Sequence, residues 1–321
     1  MRTWLWQNRI TLLTVVVVAL YAAFIEWFFG WGAILAGWQA VGIGTILLAL
    51  ALLVGTYFIR THRMQDYFPR ETCGQFLKLF RVTQVHNLLN IMLPFRAGET
   101  SFPLLMRSEF GVPLAHGTSA LLVLRLLDLH ALLAAAGLGL VASASRPYLA
   151  VTLWALFLLL PLILFPLKSR LIATMRQRLP ERLATLVDEI DDGLPRDVSA
   201  FTRAWMLTVL NWGVKVLVLA WVLGLMGVLP VAAAFGGALG GEISSVLPVH
   251  APAGVGTYPA GIGAGAAAFG SARDAATLEV LAKASINTHL LMLVSALAGT
   301  GLSLVLPSIF GARPRPPSVT S

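Results

Sequence analysis

The chain has 321 residues, of which 57% are hydrophobic and only 12% charged. A water-soluble domain of this size carries about 25% charged residues, so this chain lacks the charge to cover a water-facing surface, and a soluble globular enzyme is excluded. The net charge of +8 would suit nucleic acid, but 16 of the 23 basic residues lie at 1–9, 60–81, 168–203 and beyond 306, between apolar runs. That clustering marks cytoplasmic segments of a membrane protein and implies no nucleic-acid partner.

The apolar runs are about twenty residues long, enough for a helix to cross roughly 30 Å of hydrocarbon. The short alternating segments of a membrane barrel are missing. The predicted fold is therefore an all-α polytopic membrane protein, with about six full spans and two re-entrant helical hairpins. The first span is expected at 10–29, a retained span without a small-residue cleavage site, and the second at 38–59. The uncharged residues between them read as an outside loop. Arg60-Thr61-His62-Arg63 returns the chain to the inside.

The segment 74–110 is too polar for a lipid-facing span. It reads as two half-length helices joined by Leu93-Pro94-Phe95-Arg96-Ala97-Gly98-Glu99, a hairpin entering from the cytoplasm. Irregular backbone survives at that depth only where protein or a water-filled cavity surrounds it. Spans three and four follow at 114–142 and 148–167. The segment 168–203, with seven basic and six acidic residues, is read as a cytoplasmic loop with a short interfacial helix. Its acidic run at 188–192 is a solvated face. After span five at 204–229 comes a second hairpin, 231–270, broken at Pro248-Val249-His250-Ala251-Pro252-Ala253-Gly254-Val255-Gly256. Span six, 276–306, leads to an Arg-Pro-rich tail at 309–321, expected to be disordered.

The breaks align without a gap at Leu93-Pro94 and Leu247-Pro248. Each follows two spans and precedes one, so each unit has an odd number of crossings. That predicts an inverted repeat, 1–145 and 146–308, with both termini cytoplasmic. Broken helices in inverted repeats are a transporter architecture.

Ionisable groups near a bilayer centre cost roughly 3 kcal/mol each and so tend to face a cavity or a partner. Arg125 and Asp128 share one face of span three, either as a pair that locks packing or as the lining of a polar cavity with Arg96 and Glu99. Glu99 is also placed to cap the second half-helix. The Arg96 fork suits bidentate phosphate contact. In the second unit the candidates are Glu242 and His250, with Lys215 and Asn211 able to reach the cavity or to snorkel. Pro94, Gly98, Pro248, Pro252, Gly254 and Gly256 form the breaks, and Gly236, Gly237, Gly240 and Gly241 suit a small-residue packing face. His130 reads as a packing histidine, and Glu279 and Lys283 as a pair near the outer interface.

Lone Cys73 excludes an intramolecular disulfide and any cysteine-based zinc cluster. The sequence has no phosphate-binding loop, no His-Glu-x-x-His site and no Gly-x-Ser-x-Gly elbow. No metal, cofactor or catalytic residue is therefore expected, and transport would be passive, ion-coupled or driven by a substrate gradient.

Leu93-Pro94-Phe95-Arg96-Ala97-Gly98-Glu99, Leu124-Arg125-Leu126-Leu127-Asp128-Leu129 and the Pro252-to-Gly256 element resemble, in order, the flippase-like transmembrane domain of bacterial lysylphosphatidylglycerol synthases. The likeness extends over about residues 5–306. It implies a lipid translocase of the bacterial inner membrane, moving a polar phospholipid or a lipid-linked glycan between leaflets, with Arg96, Gly98, Glu99, Arg125 and Asp128 as its central polar residues. In that reading Arg96 and Arg125 engage a lipid phosphate. Glu99, Asp128 and Glu242 balance charge, bind a cationic headgroup or carry a coupling proton. Leu124 stands where relatives often have an acid, and no Glu follows the Gly-rich break. An aminoacyl-transfer domain is missing from this sequence, so lysyl transfer is not expected of it. Two other readings remain: a non-catalytic membrane partner of a lipid-modifying synthase or glycosyltransferase, or an intramembrane lipid transferase using His86, Glu99 or His250. A homo-oligomer is compatible with each.

Overall fold

The computed structural model describes residues 9–168, 191–247 and 251–310, together with Arg170, Thr174, Pro180, Glu181 and Asp188. Pro248, Val249, His250 and the tail from 311 lie outside the described residues, as does most of the predicted interfacial helix. Among the described residues there are eleven α-helices and no strands.

Helix α1, Arg9–Phe28, ends at Gly30, and α2, Trp31–Val41, leaves it at 85°. Gly30 holds φ 75°, a left-handed value that glycine adopts without strain. The Glu26 carboxylate accepts from the Trp31 backbone N–H at 2.9 Å, so the start of α2 is capped from the helix before it. This corrects the expected loop at 30–37, which is helical. A second glycine, Gly42 at φ 84°, separates α2 from α3, Ile43–Tyr67. Span two therefore begins at Ile43 and runs past Arg60, correcting the reading of Arg60 and Arg63 as loop residues.

The first hairpin is α4, Phe76–Met92, a tight turn at Pro94–Thr100, and α5, Ser101–Phe110. Helix α6, Leu114–Ala142, coincides with the predicted third span. Helix α7, Pro147–Leu164, buries no residue and exposes Leu149, Leu153, Leu156, Leu160 and Ile163. That is the surface of a helix facing hydrocarbon rather than water. Helix α8, Val198–Leu225, is capped by Asp197, which accepts from Ala200 N–H at 2.8 Å.

The second hairpin pairs α9, Val231–Val246, with α10, Thr257–Ala268, and α11, Ala275–Phe310, completes the chain. The glycine face of α9 does pack. A Cβ on Gly240 would lie 2.1 Å from the Gly261 carbonyl oxygen, and one on Gly265 would lie 2.0 Å from that of Gly236. Only glycine lets these two backbones touch.

Five described helices are long and apolar enough to cross a membrane: α3, α6, α7 with its short continuation to Leu167, α8 and α11. The bent pair α1–α2 gives a sixth if it counts as one crossing. The chain is an all-α, multi-pass membrane protein.

Candidate functional site

Asp128 is the fifteenth of 29 residues in α6, about 20 Å along that helix at 1.5 Å per residue, and it is 1% exposed. A carboxylate so placed needs cationic and hydrogen-bonding partners. Its main partner is Arg63, whose Nη1 lies 2.5 Å from Oδ1, and which also donates to Thr208 Oγ1 at 3.0 Å. The indole N–H of Trp212 donates to Oδ1 at 2.9 Å. Arg125 Nη1 stands 3.7 Å from Oδ2. The predicted Arg125–Asp128 pair therefore exists, as the weaker half of a triad.

Arg125 connects this triad to the hairpin break. Its Nε lies 2.9 Å from Glu99 Oε1, and that oxygen also pairs with Arg96. The sequence-predicted residues Arg96, Glu99, Arg125 and Asp128 thus form one chain of charges. Glu99 does not cap the second half-helix, since no side chain caps α5; its carboxylate is taken by guanidinium groups instead. Arg60 completes the cluster. It donates to Asn87 Oδ1 at 2.9 Å and, with Arg63, His86, Arg125 and Asp128, lines a small cavity of about 10 Å³, space for one water at most.

The break is built around strain and close approach. Phe95 and Arg96 both hold positive φ, 52° and 55°, a conformation that costs a non-glycine residue about 1–2 kcal/mol. Gly98 lies against α4, where a Cβ would sit 2.4 Å from the Leu89 carbonyl. Ser101 Oγ donates to the Gly98 carbonyl at 2.6 Å and lies 3.0 Å from His86 Nδ1. These contacts aim the Arg96 side chain inward, while the Phe95 ring, 77% exposed, points out of the turn.

The two breaks touch. Arg96 Nη1 donates to the backbone carbonyl of Val246, at the end of α9. The second break repeats the backbone device: Pro252–Gly254 forms a tight turn with Ala253 at φ 54°. Gly254 and Gly256 also hold positive φ.

Glu242 is placed apart from the arginine cluster. It is fully buried, and both its oxygens are occupied, Oε2 by Lys215 Nζ at 2.7 Å and Oε1 by the Tyr258 hydroxyl at 2.7 Å. Lys215 reaches inward and does not snorkel; its ammonium stands over the Trp212 ring at 5.3 Å. Asn211 is buried beside them. Next to this pair, His289 Nε2 lies 2.8 Å from the Ala253 carbonyl and Nδ1 lies 3.3 Å from the Tyr21 hydroxyl. A carbonyl only accepts, so Nε2 carries the proton, and in the neutral ring Nδ1 accepts from Tyr21. His250 and Pro248 fall outside the described residues and gain no placement.

Other sequence readings find their positions too. His130 packs on Phe157, with ring centroids 4.3 Å apart, and bonds the Phe157 carbonyl at 2.8 Å. Lys283 and Glu279 pair at 2.6 Å. Asp191, from the acidic run, pairs with Lys168 at 2.7 Å. Both border a cleft of about 630 Å³ lined by charges of both signs, where Arg203 also grips Asp66.

Several participants escape the sequence reading, among them Arg60, Arg63, Trp212, Tyr258 and His289. Arg63 was disguised by its basic neighbours. A lone histidine within the apolar run of α11 was a usable signal for His289, but an indole donor in a span carries none.

These features define a class: a polytopic helical membrane protein with two strained helix breaks that meet beside a buried, charged centre. The sequence matches the family described as lysylphosphatidylglycerol synthase TM region over residues 11–310. The chain belongs to that family, a membrane domain associated with lipid chemistry. Neither the curated proteins nor the solved structures yielded a match.

Proposed function

We propose that this protein is a lipid translocase, which moves a polar phospholipid or lipid-linked glycan between the leaflets of a bacterial inner membrane. One observation carries the reading. Two helix–break–helix hairpins bring their breaks together at the Arg96–Val246 contact, beside guanidinium groups that lie deep within the bundle. A soluble headgroup site has no reason to be there, whereas a phosphate crossing the hydrocarbon needs fixed cations along its way.

An inverted repeat is part of the same proposal, and the form of the two hairpins supports it. The hairpins match in form, with helices of 17 and 10 residues around the first break and 16 and 12 around the second. Each break has a non-glycine residue at positive φ. In this mechanism the hairpins re-enter the membrane, and rocking of one repeat against the other opens the arginine cluster to each side in turn. Arg96 and Arg125 receive the lipid phosphate. Glu99 and Asp128 hold the arginines in place when no lipid is bound.

The test is reconstitution into proteoliposomes with tail-labelled lipids and a leaflet-specific chemical readout. Wild-type protein should equilibrate its cargo between leaflets, and Arg96→Ala/Arg125→Ala should slow that at least about tenfold while eluting as a folded protein. Undiminished flipping by the double variant would remove the assigned roles.

A further inference from the structure

The charge count within the bundle is unequal. Three guanidinium groups, on Arg63, Arg96 and Arg125, are joined through two carboxylates, Glu99 and Asp128, and a fourth, on Arg60, lines the same cavity as Arg63, Arg125 and Asp128 while bonded to Asn87. The neighbouring titratable groups do not redress the balance. Lys215 and Glu242 neutralise each other, and His86 and Tyr57 supply no anion. Arginine stays protonated in any protein setting, so the cluster carries two uncompensated positive charges inside a membrane bundle.

The unused donors tell the same story. Arg63 Nε and Arg96 Nε are buried and have no hydrogen-bond acceptor. Arg63 and Arg96 are each at least nine-tenths buried, and Arg63 lines the small cavity together with Arg60 and Arg125. Buried donors without acceptors, in a region of excess positive charge, describe a receptor for an acceptor-only, doubly charged group.

We infer that the cargo of this protein carries a dianionic phosphate, a phosphomonoester or a diphosphate on a lipid, and that a cationic aminoacyl phosphodiester is rejected. This rests on the translocase reading and narrows it. A phosphodiester brings one negative charge and leaves one guanidinium uncompensated. An aminoacylated phosphodiester adds a cation and is opposed by the whole cluster. A dianionic phosphate balances it.

Glu99 holds the place of that ligand in the closed state. The cavity has room for a water but not for a phosphate, and Arg125 in its lining is tied to the break at 93–100 through Glu99, so entry is coupled to withdrawal of that break. Glu99 sits on that break and is 30% exposed at its side chain, whereas Asp128 is sealed at 1%. Its carboxylate bridges Arg96 and Arg125. When the break withdraws, taking Arg96 and Glu99 together, the Arg125 fork is freed for the incoming phosphate, while Arg60, Arg63 and Arg125 against Asp128 still leave two positive charges uncompensated.

The test measures binding by native mass spectrometry of the purified full chain, with phosphatidic acid, a polyprenyl diphosphate, phosphatidylglycerol and lysylphosphatidylglycerol as probes. The expected order is the two dianionic lipids at least about tenfold tighter than phosphatidylglycerol, and lysylphosphatidylglycerol weakest. Equal or tighter binding of phosphatidylglycerol or of its lysyl ester overturns the inference. Arg60→Gln removes one positive charge without orphaning a carboxylate, since Arg60 pairs with Asn87. It should fold and lose most of the dianion preference; full retention of that preference overturns the inference. Glu99→Gln removes the built-in competitor and should tighten phosphatidic acid several-fold, and weaker binding there overturns the exchange. Inorganic diphosphate is the remaining arm. If it binds as tightly as the lipid, the dianion chemistry stands and the lipid reading falls. Flipping of lysylphosphatidylglycerol in proteoliposomes would leave the translocase standing and overturn the dianion inference.

Discussion

Arg63 and Asp128 are separated by 65 positions in the chain, yet they meet at 2.5 Å with almost no exposure to solvent. The contact fastens the end of α3 to the middle of α6, and Thr208 and Trp212 bring α8 into the same knot. Separating two buried charges costs far more than replacing both, because the survivor is left unpaired in a low-dielectric interior. Arg63→Leu or Asp128→Leu alone should each destabilise by about 3–5 kcal/mol. The double replacement should recover a large part of that loss. Thermal unfolding of the four proteins in one detergent checks the cycle, and additive losses would mean that the two residues do not depend on each other.

That pair also marks where sequence reading succeeds and where it stops. The sequence predicts α6 at 114–142 because an uninterrupted apolar run reports its own length, and the structure agrees. The gathering of Arg96, Glu99, Arg125 and Asp128 was legible because a charge in such a run requires a local excuse. Arg63 was not legible: its neutralising partner lies on another helix, so Arg60 and Arg63 looked like the end of a span. Helix α2 was hidden for a different reason. Its uncharged stretch between Gly30 and Gly42 suits a short loop as well as a short helix, and Glu26, which caps it, lies in the preceding span.

The α9–α10 interface should be intolerant of a single methyl group. A Cβ on Gly265 would lie 2.0 Å from the Gly236 carbonyl, so Gly265→Ala must push two backbones apart. The expected cost is about 1–3 kcal/mol, in the range of overpacking. Gly213 in α8 has no atom within 4 Å of such a Cβ, so Gly213→Ala should be neutral or stabilising by up to about 1 kcal/mol. Comparison of the two melting curves separates a steric effect from a general dislike of alanine.

Phe95 offers a substitution that should stabilise. Its ring is largely exposed, and its backbone sits at φ 52°, ψ 28°. Phe95→Gly gives up little burial and relieves left-handed strain worth about 1 kcal/mol. A raised melting temperature is expected, and a lowered one would show that the exposed ring contributes packing in detergent or lipid. Arg96 shares the strain at φ 55°, but glycine there also removes the contacts to Glu99 and Val246, so the two positions should respond in opposite directions.

Arg125 separates charge from geometry. Its Nε reaches Glu99 at 2.9 Å while Nη1 stands 3.7 Å from Asp128, so one planar group spans the break and the triad. A lysine at this position keeps the charge but concentrates it at one point on a flexible stem. Arg125→Lys should therefore fold, because Asp128 retains Arg63 and Trp212 as partners. It should nevertheless lose most of its leaflet exchange, by at least about tenfold, since the break is no longer tied to α6 and the phosphate meets one donor group in place of a fork. The measurement is the initial flipping rate in proteoliposomes, set beside the melting temperature of the same preparation. A rate close to wild type would mean that positive charge alone is sufficient at this position, and the bidentate role of Arg125 would be withdrawn.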